Sequence, residues 1–75
     1  MIKINDNYYA RDTIKKVTPI TRKEENCVYY FIFSVYISLG DSVITEHVIS
    51  VDNDNSDSLS NINYLFDELL KNITK

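Results

Sequence analysis

The chain carries one histidine, one cysteine and one glycine, and these counts restrict the chemistry available to it. His47 alone leaves a histidine-based metal site or acid–base pair without a second imidazole. Its neighbour Glu46 cannot orient it on a strand, where adjacent residues point to opposite faces. Cys27 has no partner for an intramolecular disulfide. It opens an apolar stretch and is expected to be buried as a small hydrophobe. A Walker or dinucleotide-type phosphate cradle needs several glycines, so the single Gly40 excludes both. The acidic pairs Glu24-Glu25 and Asp67-Glu68 lack the apolar pocket that raises a carboxyl pKa towards catalytic use. No catalytic residue, metal ligand or cofactor site is assigned, and the chain is expected not to be an enzyme.

One loop offers oxygen ligands at alternate positions. Asp52-Asn53-Asp54-Asn55-Ser56-Asp57-Ser58 resembles the start of an EF-hand calcium loop. Its sixth position is Asp57 where that pattern needs Gly, and its twelfth is Asn63 where it needs a bidentate Glu. A strand precedes it where a helix is required. The expected role is a solvated strand-to-helix connection whose Asp and Ser side chains cap turns and the helix start.

The elements that position these residues follow from hydrophobic spacing. Strands are expected over about 2–5, 8–10, 14–22, 27–39 and 42–51, and a helix over about 58–73. Pro19 cannot donate to a ladder, which puts the third strand at an edge or a bulge. Residues 27–39 are dense in Val, Ile, Tyr and Phe with no helical period, as suits a long central strand. Gly40-Asp41 supplies the positive φ of a two-residue hairpin loop. Leu59, Ile62, Leu65, Phe66, Leu69, Leu70 and Ile73 recur at three- and four-residue steps, and Asp57 or Ser58 is positioned as N-cap. The fold class is therefore α+β: an antiparallel β-meander of four to five strands with one C-terminal amphipathic helix packed on one face, in a single domain.

Taking Gly40-Asp41 as the loop, strict alternation sorts the long hairpin into two faces. Tyr29, Phe31, Phe33, Val35, Ile37 and Leu39 share one with Ile44, Glu46 and Val48. Val28, Tyr30, Ile32, Ser34, Tyr36 and Ser38 share the other with Val43, Thr45, His47, Ile49 and Val51. One helix covers one face, and a two-layer domain normally leaves the other polar. An apolar, aromatic second face therefore marks an interface, unless the sheet coils into a small barrel with the N-terminal strands laid across it.

Charge is uneven along the chain. Six basic residues and two acids occur through Lys23, then nine acids and no Lys or Arg from Glu24 to Leu70. The two regions either lie apart and steer a charged partner or interleave in one sheet and cancel. Arg11, Lys15, Lys16, Arg22 and Lys23 lie close to Tyr8 and Tyr9, a combination that can hold a nucleic-acid strand. A sequence pI of about 4.9 opposes that reading, because the acidic block repels phosphate.

At 75 residues, 44% hydrophobic and 25% charged, the chain is globular in composition, with a net stability of only ~3–5 kcal/mol expected at this size. No apolar run approaches the ~20 residues of a membrane span. The first residues read into a strand rather than a signal peptide, so a cytoplasmic location without a membrane partner is expected. Asn72-Ile73-Thr74 fits a glycosylation triplet, which has no meaning without secretion. Abundant Ile, Asn, Lys and Tyr suit AT-rich coding, as in an AT-rich bacterium or its phages.

Small size, acidic balance, absence of catalytic motifs and this composition together resemble the class of phage-encoded anti-defence proteins, including anti-CRISPR inhibitors. The resemblance is to a class and carries over no residue role. It implies a non-catalytic protein-binding module that blocks a host or defence protein. Tyr30, Ile32, Tyr36, Val43 and Ile49 would anchor it, with Glu46, Asp52 and Asp54 as further partner contacts, and the acidic block from Glu24 to Glu68 would mimic nucleic acid. The alternatives are a homodimeric structural or regulatory subunit and a binder of a small ligand such as a nucleotide-like signal, with its pocket at a dimer seam.

Overall fold

A computed structural model describes residues 1–52 and 57–74. Strands β1 (Ile2–Ile4), β2 (Asn7–Tyr9), β3 (Ile14–Val17), β4 (Thr21–Glu25), β5 (Val28–Leu39) and β6 (Ser42–Asp52) are followed by helix α1 (Asp57–Thr74). A single 3-10 turn, Arg11–Thr13, joins β2 to β3. Every pairing is antiparallel, so the α+β class holds with six strands where four to five were expected.

The extra strand comes from Pro19. Residues 14–22 do not form one strand: β3 and β4 lie end to end along one edge of β5, pairing with Val35–Ile37 and Val28–Ile32 respectively. Pro19 has no N–H to offer the ladder at the break. Thr18 bridges it instead, donating its N–H to the Ser34 carbonyl at 2.9 Å and accepting from the Ser34 N–H on Oγ1 at 2.8 Å.

β4 also runs further than the turn expected at residues 23–26, because Asn26 and Cys27 form a two-residue loop with φ of 52° and 65°. Positive φ at both positions is the type I′ geometry that matches strand twist. Cys27 is consequently an exposed turn residue, which corrects its expected burial at the head of β5. The third hairpin is as expected: Gly40 has φ of 74° and Leu39 pairs with Ser42.

Two elements cover the same face of the sheet. Ile62 and Leu69 of α1 and Ile2 and Ile4 of β1 join Phe33, Val35, Ile37 and Val48 in one buried cluster. The rings of Phe33 and Phe66 meet edge to face with centroids 5.1 Å apart. The helix stripe is narrower than its spacing suggested, since Leu59, Leu65 and Leu70 are exposed at its flanks. At 100° per residue these three lie 60–80° from Ile62, past the edge of a contact with a flat sheet. Asp57 and Ser58 lie within the first helical turn rather than before it. Ser58 is buried there: its hydroxyl donates to the Val51 carbonyl at 2.7 Å while Ser50 Oγ donates to the Ser58 carbonyl at 3.0 Å.

Candidate functional site

Because α1 and the β1–β2 hairpin share one face, the opposite face of β5 and β6 has no layer over it among the described residues. The register places Ser38 beside Val43, Tyr36 beside Thr45, Ser34 beside His47, Ile32 beside Ile49 and Tyr30 beside Val51, the sorting the Gly40 loop implied. Val43, Ile49, Val51 and Val28 are 65%, 54%, 53% and 46% exposed. Tyr30, Ile32 and Tyr36, on the central strand, are half-buried by their neighbours. The barrel alternative is thus not realised among the described residues.

The structure brings Tyr30, Ile32, Tyr36, Val43 and Ile49 together on this open face. Glu46 and Asp52 do not join them, since they pair with Val35 and Tyr29 on the covered side. Asp54 lies outside the described residues, as does the central part of the 52–58 loop. An acidic surface adjoining the tyrosines is therefore not what Glu46 and Asp52 form. The charges that border the open face are instead Lys16, opposite Tyr36, and Lys23, opposite Tyr30, with Glu25 beside Val28 at its end. Lys16 Nζ lies 5.9 Å from the Tyr36 ring centroid. The basic strands β3 and β4 lie along one edge of β5, and β6, with Glu46 and Asp52, lies along the other. Arg22 pairs with Asp52 at 3.4 Å and stacks 4.1 Å from the Tyr29 centroid, a surface pair worth at most ~1 kcal/mol.

A polar pair sits at mid-face, where Ser34 Oγ and His47 Nδ1 are 2.8 Å apart. Alternation puts both residues on one face, and the loop register sets them opposite each other. A serine–histidine contact can activate a hydroxyl when a third group orients the ring and donors await an oxyanion. Among the described residues no carboxylate hydrogen-bonds to this imidazole, and the pair lies on an open sheet rather than in a cleft. Its structural effect is to satisfy two polar groups within an apolar surface.

On the covered side Glu46 latches the hairpin. Its Oε2 accepts from Asn7 Nδ2 at 2.9 Å and from Tyr9 Oη at 2.8 Å. The Asn7 hydrogen bond, then that of Tyr9, holds the Glu46 carboxyl below its ordinary range. The hydrogen bond to Glu46 in turn raises the Tyr9 phenol. Asn5, at the hairpin tip, donates through Nδ2 to the His47 carbonyl at 3.0 Å and occupies part of the outer edge of β6. These contacts span 37 to 42 residues, so no local spacing announces them.

A cleft of about 460 Å³ separates the hairpin tip from the helix, bordered by Lys3, Asn5, Asp6 and Leu65. Its floor of Ile4, Phe33, Val48 and Leu69 is 2–8% exposed and offers a small molecule little apolar contact. No helix among the described residues is long and apolar enough to cross a membrane. Comparisons with family models, with curated proteins and with solved structures find no match, which leaves the geometry of the chain to carry the functional reading.

Proposed function

We propose that this chain is a non-catalytic protein-binding module that docks through the open face of its sheet, with Tyr30, Ile32, Tyr36, Val43 and Ile49 as contact residues. One observation carries the reading: both covering elements lie on one side, while the other leaves Val28, Val43, Ile49 and Val51 exposed beside half-buried Tyr30, Ile32 and Tyr36, on either side of the Ser34–His47 pair. A patch of that kind is costly to leave wet and usually marks an interface. Tyrosine suits it, with a large rigid body and a hydroxyl that tolerates either water or a partner. The resemblance in size and composition to phage-encoded anti-defence inhibitors makes bacterial defence proteins the first heterologous partners to assay, in a cytoplasmic setting.

Photo-crosslinking tests the surface. A benzoyl-phenylalanine in place of Ile49 is expected to form a protein adduct in cells, and one in place of Tyr64 on the helix is not. Adducts at position 64 alone would move the docking surface to the helix side and refute the proposal.

A further inference from the structure

The slab shape of the molecule bears on what covers the open face. Its extents are 39 × 25 × 20 Å and its radius of gyration is 13.2 Å, against ~11.3 Å for a compact domain of this length. Its accessible surface of 5306 Å² exceeds the ~4,800 Å² that monomers of this mass expose. Both excesses are those of a sheet lacking one layer. β5 has 12 residues, or ~40 Å at ~3.3 Å each, and three strand positions span ~14 Å. The projected face is then ~550 Å², so two copies would bury ~1,100 Å² in all, just above the ~1,000 Å² that a biological interface should clear and in the range of weak dimers.

We propose that this face is covered by a second copy of the chain, the two sheets packed face to face about a two-fold axis running along β5. The proposal deepens the docking reading above and rests on it. Part of the polar centre would enter such an interface already paired: Ser34 Oγ bonds His47 Nδ1, and Thr18 Oγ1 accepts from the Ser34 N–H. The other ring nitrogen of His47 and the Tyr30 and Tyr36 hydroxyls take their partners from the second copy or from interfacial water. Tyr30, Ile32 and Tyr36 on β5 then meet the same residues of the partner near the axis, in aligned sheet packing ~10 Å thick.

Charge selects the axis. Lys16 and Lys23 both lie on the β3–β4 side. A two-fold across the strands would stack the two lysine edges on each other. A two-fold along β5 sets each lysine edge over the partner subunit's β6 and leaves the ammonium groups at the rim. The outer edge of β6 is the other place where a copy would add, and Asn5 is already bonded to the His47 carbonyl there.

Sedimentation equilibrium of the full chain from micromolar to millimolar concentration is the test, run beside Ile49→Glu. Ile49 is 54% exposed, so its replacement leaves the core intact, as circular dichroism will verify. The expected result is twice the chain mass of 8.8 kDa for the wild type and a return to the single mass for the variant. In a Cys27→Ser background, a short bismaleimide is expected to link copies carrying Tyr36→Cys and not copies carrying Tyr64→Cys. A wild type that stays at the single mass overturns the second-copy proposal. The docking reading survives that result if Ile49→Glu abolishes capture of another protein, and falls with it if no capture depends on this face. A dimer untouched by Ile49→Glu and linked through position 64 also overturns the proposal, since its interface lies on the helix.

Discussion

Replacing Cys27 by glycine is expected to stabilise the protein, and the size of the gain follows from the backbone. Cys27 sits at φ 65° in the β4–β5 loop, a region that costs an L-residue roughly 1–2 kcal/mol. Glycine removes that penalty but adds about 0.5–1 kcal/mol of unfolded-chain entropy. The net gain is centred near ~0.75 kcal/mol, or roughly 3–6 °C in midpoint for a domain of this size. Asn26-Gly is moreover the sequence that type I′ turns favour most. The side chain is exposed, so no packing is lost. Thermal unfolding followed by circular dichroism reads the shift under reducing conditions, with Cys27→Ala as control because alanine retains the steric penalty and loses only the thiol. A glycine variant no more stable than wild type and indistinguishable from the alanine variant would refute the assignment of strain to this turn.

Three further outcomes follow from the same geometry. Because the folded-state pKa of Glu46 is depressed, the hairpin latch contributes stability that is present above the ordinary carboxyl pKa of ~4.3 and lost as pH falls through the folded value. Urea midpoints measured from pH 7 to pH 3 should therefore fall less steeply for Glu46→Gln than for wild type, and equal slopes would contradict the latch. Thr18→Val removes the acceptor for the Ser34 N–H at the Pro19 break and is expected to cost about 1–2 kcal/mol, read from denaturant midpoints. Ile62 is fully buried, so Ile62→Ala should cost about 2–5 kcal/mol, comparable to the whole stability of a small domain. Ile49→Glu, compared at a concentration where the wild type is monomeric, should cost less than about 1 kcal/mol, and the reverse ranking would mean that the two faces have been exchanged.

How much of this was legible in the sequence depended on whether the signal was local. Gly40 fixes the loop, the loop fixes the register, and the register sorts eight of the eleven β5–β6 pairs into two faces from alternation alone. The helix was equally plain, because Ile62, Phe66, Leu69 and Ile73 keep to one side of the cylinder. Pro19 was read as an edge or bulge signal, yet apolar residues on both sides of it suggested one strand where there are two. Cys27 was misplaced because cysteine carries no turn signature, and only pairing of Glu25 with Val28 forces it into positive φ. The docking of the β1–β2 hairpin beside the helix was beyond reach, since Asn7 and Tyr9 meet Glu46 across nearly half the chain. That one placement leaves the second face open, whereas the side on which Glu46 lies, away from Tyr30 and Tyr36, follows from the β5–β6 register alone.

The central claim, that the face of Tyr30, Ile32, Tyr36, Val43 and Ile49 is the docking surface, is tested most directly by three immobilised forms of the chain: wild type, Ile49→Glu, and Leu65→Glu at the exposed flank of α1. Each is challenged with cell lysate and with free wild-type chain. Retention of the same protein, or of the free chain itself, by wild type and Leu65→Glu but not by Ile49→Glu is the predicted result. Loss at Leu65→Glu with retention at Ile49→Glu would contradict it.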